Sequence, residues 1–179
     1  MIRAVSVILI FNLIFISATV PSMEVKSHSI TFEIENAGIT VKGSLPEANI
    51  EIRFDPDHLD KSQLSATADA SAISTGIRLR DKHLLGREYF YVEKYPVISL
   101  KSKSLRKIKG NKYMGTFDLT LRGKTKEVEI PFNVSKKSND IILSGKFSID
   151  RMEFGVGEES IILSNEVRIA IELVAKVAL

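Results

Sequence analysis

The side chains of this 179-residue chain that could do chemistry are three histidines, two close pairs of acids and one run of cations. His28, His58 and His83 stand far apart, without the H-x-H or H-E-x-x-H spacing that would set two imidazoles on one metal ion. Isolated histidines of this kind read as structural or exposed. Asp81 with Glu88, and Glu158 with Glu159, could supply paired carboxylates for acid–base work, yet no surrounding pattern fixes a water or a substrate between them. No G-x-S-x-G elbow presents a nucleophile. Gly155-Val156-Gly157 follows a strand but opens no helix of the dinucleotide-binding type, so it reads as a tight loop. The chain has no cysteine, which removes thiol chemistry and Cys zinc sites. These residues lead to the expectation of a protein that is not an enzyme and takes no metal or cofactor.

Charge is more informative in its distribution than in its sum of +3. Residues 24–60 hold three basic and eight acidic side chains, whereas residues 97–137 hold eleven and three. Lys101, Lys103, Arg106, Lys107, Lys109 and Lys112 follow one another with no acid between them, across a hairpin predicted to turn at Gly110-Asn111. Such a ribbon could meet lipid headgroups; a solvated strand edge kept from aggregating by its lysines is the favoured reading. Nucleic acid is not expected, because the run lacks interleaved aromatics. Asp150-Arg151 closes a strand and would pin the loop that follows. Asp81 falls inside an apolar helical stripe and needs a cationic or donor partner there. Arg151 and Arg78 are the two candidates.

The elements that must position these groups are mostly strands. Ile30, Phe32 and Ile34 alternate with polar residues, Asn36-Ala37-Gly38 offers a turn, and Ile39, Val41 and Leu45 resume the alternation. A third segment runs to Phe54 and stops at Asp55-Pro56-Asp57. Further inward rows are Ile98 and Leu100; Tyr113, Phe117, Leu119 and Leu121; Val128, Ile130, Phe132 and Val134; Ile141, Leu143, Phe147 and Ile149; and Val167, Ile169, Ile171 and Leu173. Only Thr75–Pro96 breaks the period. There Ile77, Leu84, Leu85, Tyr91 and Val92 share a side at helical spacing, Thr75 is placed to cap, and Pro96 forces an extended exit, so a helix of two to three turns is expected. Residues 1–22, with Arg3 as their one charge and small residues after the apolar run, read as a secretory signal peptide. One domain, residues 23–179, remains.

The fourth strand carries the least ordinary row: Leu64, Ala66, Ala68, Ala70 and Ala72 face one way. Bulky rows elsewhere would oppose methyl groups. The row admits two explanations, in which the opposite wall fills the space or an apolar cavity remains, and on the row alone packing is favoured. Eight or nine such strands suit a sandwich or a closed barrel, and an eight-stranded barrel is either just filled or holds one ligand.

Six segments in order carry a resemblance: S-H-S-I-T-F-E-I (27–34), T-G-I-R-L-R-D-K-H-L (75–84), Y-F-Y-V-E-K-Y-P (89–96), L-T-L-R-G-K-T-K (119–126), I-D-R-M-E-F-G-V-G (149–157) and N-E-V-R-I-A-I-E-L (165–173). Over nearly all of the mature chain, this pattern resembles the YceI-like family, often called polyisoprenoid-binding proteins. The resemblance implies an all-β fold, an eight-stranded antiparallel lipocalin-like barrel with one short helical segment near one end. It also implies a long apolar lumen for an isoprenoid or related lipid, and a periplasmic or secreted home. With it, the cavity reading of the alanine row takes precedence. The expected lipid-binding residues are Ala66, Ala68, Ala70, Phe117, Leu119, Ile130, Phe132, Phe147, Ile149, Ile169 and Ile171, and the structural or headgroup residues are Arg80, Asp81, Asp150 and Arg151. A lipid carrier or sequestering protein is thus the first expectation; a filled-core barrel acting as a stress-related or interaction module is the alternative. Transient membrane contact through Lys101–Lys112 and a homodimer complete the expected partners.

Overall fold

A computed structural model describes residues 20–177, and most of the expected leader lies outside them. β1 (Ser22–Asn36) and β2 (Ile39–Ser44) form the first hairpin, in which Asn36 pairs with Ile39. Its two turn residues, Ala37 and Gly38, both have positive φ (50° and 77°), the handedness that matches strand twist. Pro46 then interrupts the ladder, since it has no N–H to give. β3 (Asn49–Arg53) rejoins β1 in the same register, through Met23–Ile52 and Ser22–Arg53.

β4 (Gln63–Asp69), β5 (Val97–Lys109), β6 (Lys112–Leu121), β7 (Lys124–Lys137), β8 (Asp140–Asp150) and β9 (Leu163–Val177) follow as antiparallel neighbours, and β9 returns to pair with β1. β1 and β3–β9 therefore close an eight-stranded barrel, with β2 as an extra strand on β1. The fold is the all-β barrel expected, and among the described residues its one α-helix is α1 (Arg78–Leu84). Closure is uneven between β7 and β8. Their pairing ends at Phe132–Gly145, where the next β7 residue is Pro131 and no ladder N–H is available. β8 continues to Asp150 against β9 alone. Beyond Asp150 the chain turns inward, and Phe154 is completely buried against Leu119, Leu121 and Val156.

Two expectations are corrected. β4 ends at Asp69, because that carboxylate accepts the Ser71 N–H at 2.8 Å and starts a 3₁₀ turn over Ala70–Ala72. Ala70 and Ala72 therefore leave the alanine row. The helix is shorter than predicted, at seven residues, and its N-cap is Ile77 without any side-chain bond. Thr75 is instead held by Asp81, and the chain from Gly86 to Tyr95 proceeds through turns.

At the end of the barrel that carries the β5–β6 turn, the interior is solid. Ile52, Phe54, Leu105, Tyr113, Phe117, Ile130, Phe132 and Leu143 form one buried cluster. Tyr113 stacks on Phe132 with centroids 5.5 Å apart, and Phe54 meets Tyr113 edge-on at 5.3 Å. Such ring pairs add about 0.5–1.5 kcal/mol beyond their buried area.

Candidate functional site

The other end is hollow. A cavity of about 550 Å³ lies under α1 and the segments around it, within the roughly 300–1,000 Å³ typical of small-molecule sites. β1 lines it with Ile30, Phe32 and Ile34, β4 with Ala66 and Ala68, β5 with Ile98 and Leu100, and β6 with Leu119 and Leu121. β8 adds Phe147 and Ile149, and β9 adds Val167, Ile169 and Ile171. Each is the inward member of an alternating pair. Leu45 and Ile73 pack beside Ala68, while Leu84 and Phe90 close the roof. Several of these side chains are only half-buried although they point inward, because they face empty space rather than one another.

Polar groups gather where the cavity meets solvent: Thr75, Arg80, His83 and Glu88 on the helical side, and Glu158, Glu159 and Ser160 on the loop before β9. Asp81 organises the helical side. Its carboxylate accepts from the Thr75 hydroxyl, from the Thr75 N–H at 2.7 Å and from the Ser74 hydroxyl at 3.4 Å. Hydrogen bonding from the Thr75 side chain, reinforced by the Thr75 N–H, Ser74 and the Arg80 charge, holds this carboxyl below its usual range against the opposing effect of desolvation. Arg80 closes the arrangement by donating to the Thr75 hydroxyl at 2.7 Å and to the Thr75 carbonyl at 2.9 Å.

Arg151 is buried, at 3% exposure, and organises the loop side. Its guanidinium donates to the carbonyls of Ser164 (2.9 Å), Val156 (2.8 Å) and Glu158 (2.9 Å), and to the Asn165 side-chain oxygen at 3.1 Å. Neither candidate arginine, Arg151 or Arg78, is therefore the partner of Asp81, which is held by Ser74 and Thr75 with the Arg80 charge nearby. Each group has local donors or acceptors of its own, and backbone carbonyls of the connection between β8 and β9 and of the start of β9 satisfy the arginine. Asp150, at the end of β8, accepts the Met152 N–H at 2.7 Å.

A family model described as the YceI-like domain matches residues 22–175. The chain belongs to the YceI-like family. A UPF0312 protein of Staphylococcus aureus is 30% identical over 138 residues, 72% of this chain and 77% of its own. A UPF0312 protein of Photorhabdus laumondii is 34% identical over 100 residues, 55% of this chain and about half (52%) of its own length. Among solved structures, the Campylobacter jejuni YCEI protein superposes with a TM-score of 0.72 at 26% identity, covering 78% of this chain and 86% of that one. Burkholderia cenocepacia BcnA superposes at 0.80 and 24% identity (83% and 96% covered). A polyisoprenoid binding domain from Saccharophagus degradans superposes at 0.67 and 12% identity (90% and 100% covered). The last two likenesses speak for the fold.

Within this YceI-like barrel the expected site residues divide. Ala66, Ala68, Leu119, Phe147, Ile149, Ile169, Ile171, Arg80 and Arg151 line the cavity. Phe117, Ile130 and Phe132 do not: they belong to the solid cluster, because the stagger of the barrel brings them level with Phe54 and Tyr113. Ala70 is buried in its 3₁₀ turn. Lining residues outside the expected set include Ile30, Phe32, Ile34, Ile98, Leu100, Leu121 and Val167, which belong to the same alternating rows, together with Phe90 and Leu84 from the roof. Among the described residues no group of three or more His, Cys, Asp or Glu could hold a metal ion.

The basic ribbon begins at Lys101, beside the lumen, and runs away from it to the opposite end of the barrel. β5 meets the lumen at Ile98 and Leu100, so its turn at Gly110-Asn111 lies roughly 30 Å away at about 3.3 Å per residue. Acids absent from the run itself also arrive from neighbouring strands. Lys103 is 2.6 Å from Glu127 and 3.9 Å from Asp118.

Proposed function

We propose that this YceI-like barrel is an exported binding protein that holds a long apolar chain, an isoprenoid or related lipid, in the hollow half of its lumen. It acts as a carrier or sequestering protein, and catalysis is no part of the role. The observation that carries the reading is the lumen itself: a mainly apolar lining drawn from β1, β4, β5, β6, β8 and β9, whose charged side chains all come from the helical segment and the 151–160 loop. Binding would be driven by burial, worth about 0.8 kcal/mol per methylene before ordering costs. The polyisoprenoid-binding description of a structural neighbour supports the ligand class, and the apolar stretch within residues 1–22 supports export.

Native mass spectrometry and solvent extraction of protein purified without harsh detergent test the reading. A co-purifying apolar molecule is expected, at up to one per barrel. Protein that emerges empty, and stays empty when offered polyprenols or quinones in dispersed form, would contradict it. Intact mass of the protein from the envelope fraction tests export, since a mass retaining Met1 would rule out cleavage.

A further inference from the structure

Resting on that lumen reading, we infer that the mouth end of the barrel docks on a lipid bilayer and that the Ile161-Ile162 loop enters the hydrocarbon. Among the described residues, Ile39, Ile77, Leu79, Ile161 and Ile162 are large apolar side chains left exposed, Leu79 at 78% and Ile161 fully. They come from three separate segments: the β1–β2 turn, the start of α1 and the loop before β9. The fold brings these segments together. Ala37 donates its N–H to the Ile162 carbonyl at 2.7 Å, joining turn to loop. Ser44 and Ser74 exchange backbone bonds of 2.8 and 3.0 Å, joining β2 to the approach to α1. Ile162, Thr75 and Arg80 then border one cavity. The other exposed large aliphatics, Val97 and Ile108, lie on β5, and Ile108 is at the opposite end.

The form of this surface favours a bilayer over a protein partner. The aliphatic tips are scattered among polar residues, with Glu159 and Ser160 before Ile161 and Arg78 and Arg80 flanking Leu79. A folded partner would need a separate pocket for each tip, whereas fluid hydrocarbon accommodates scattered tips without prior fit. Ile162 itself borders the apolar lumen, and the segments that carry the other tips contribute Val41, Thr75 and Arg80 to its lining, so a chain leaving a membrane docked on this end would enter the lumen beside them. Docking through the basic β5–β6 turn would instead point the mouth at solvent.

The absence of cysteine makes the test direct. Ile161→Cys and Lys107→Cys each give one thiol for an environment-sensitive fluorophore, one at each end of the barrel. Both chains share residues 1–22, so any membrane affinity of that segment is common to them. With phosphatidylcholine–phosphatidylglycerol vesicles, the label at 161 should shift to the blue and be quenched by bromine on the lipid acyl chains, while the label at 107 stays as in water. Ile161→Ser with Leu79→Ser, both outside the cavity lining, should weaken vesicle binding on the order of tenfold and leave uptake of detergent-dispersed polyprenol intact. A label at 161 that stays in water, or insertion at 107 instead, overturns the docking. Insertion at 161 in a barrel that takes up no polyprenol would sink the lumen reading alone, and uptake without insertion would sink the docking alone.

Discussion

The solid and hollow halves of the barrel use the same strands and the same alternation, and each seats a phenylalanine over a glycine. In the solid half a Cβ at Gly115 would overlap the Phe117 ring, and that ring sits beside Leu105 in a cluster that Phe54, Tyr113 and Phe132 complete. In the hollow half a Cβ at Gly43 would overlap the Phe32 ring, so the ring lies across β2 along the wall. β4 lines the same cavity with the small side chains of Ala66 and Ala68. Aromatic content alone therefore does not fill a barrel. What matters is whether several rings reach the axis at one level, as Tyr113 and Phe132 do, or whether small residues hold the walls apart.

The largest expected effect separates the halves by stability. Phe132→Ala should cost about 3–5 kcal/mol, because it removes a stacked ring from a site that cannot collapse. Phe147→Ala, in the half-buried lining, should cost about half that or less, since part of its surface already faces empty space. Denaturant titration reads both, and equal costs would mean that the two halves are packed alike. Next, Arg151→Met should destabilise by about 2–3 kcal/mol, as it strands several buried carbonyls at once. Arg151→Lys should rescue little of that loss, because an ammonium lacks the planar fork that reaches these acceptors together.

Much of this was legible in the sequence, for a simple reason. A period of two identifies strands and their inward faces, so the barrel and most cavity-lining positions follow from Ile30 to Ile171 without any coordinates. The level of each residue along the axis is not encoded that way. Phe117 and Leu119 are consecutive inward residues of β6, yet one lies in the solid cluster and the other lines the lumen. Barrel stagger decides that division, and stagger depends on bulges and seams such as those at Pro46 and Pro131 rather than on local pattern. The Asp81–Arg151 pairing failed on similar grounds. Nothing local announces that backbone carbonyls will turn onto a buried guanidinium, or that a carboxylate will reach back to Thr75.

Smaller effects sharpen the comparison. Gly43→Ala should push the Phe32 ring off the wall into the lumen, weakening chain binding by roughly tenfold with a stability loss of about 1 kcal/mol. Gly115→Ala should spare binding and cost more stability, since its overlap lies in the solid half; isothermal calorimetry and thermal melts separate these outcomes. The smallest effect is a pH dependence at the mouth. The carboxyl of Asp81 is held below its free value of about 4. Its stabilising contribution is present above that unfolded value and is lost as pH falls through the lower folded one. Asp81→Asn should therefore flatten part of the acid limb of the stability–pH curve, measured by denaturation at a series of pH values. An unchanged acid limb would mean that the Thr75 contacts contribute nothing in solution.

The central claim is that the hollow half is open for a ligand, and Ala66→Phe tests it most directly. Ala66 lines the cavity and keeps an accessible face, while Ala68 is buried beside Leu45 and Ile73. A fluorophore-tagged polyprenol titrated into wild type and variant, with a thermal melt of each, is the measurement. Saturable binding to the wild type, binding to the variant reduced at least about tenfold, and an unchanged melting temperature are expected, since an empty lumen can absorb a ring that a packed core cannot. Binding that survives the substitution, or a destabilisation of about 1–3 kcal/mol as in an overpacked core, would contradict it.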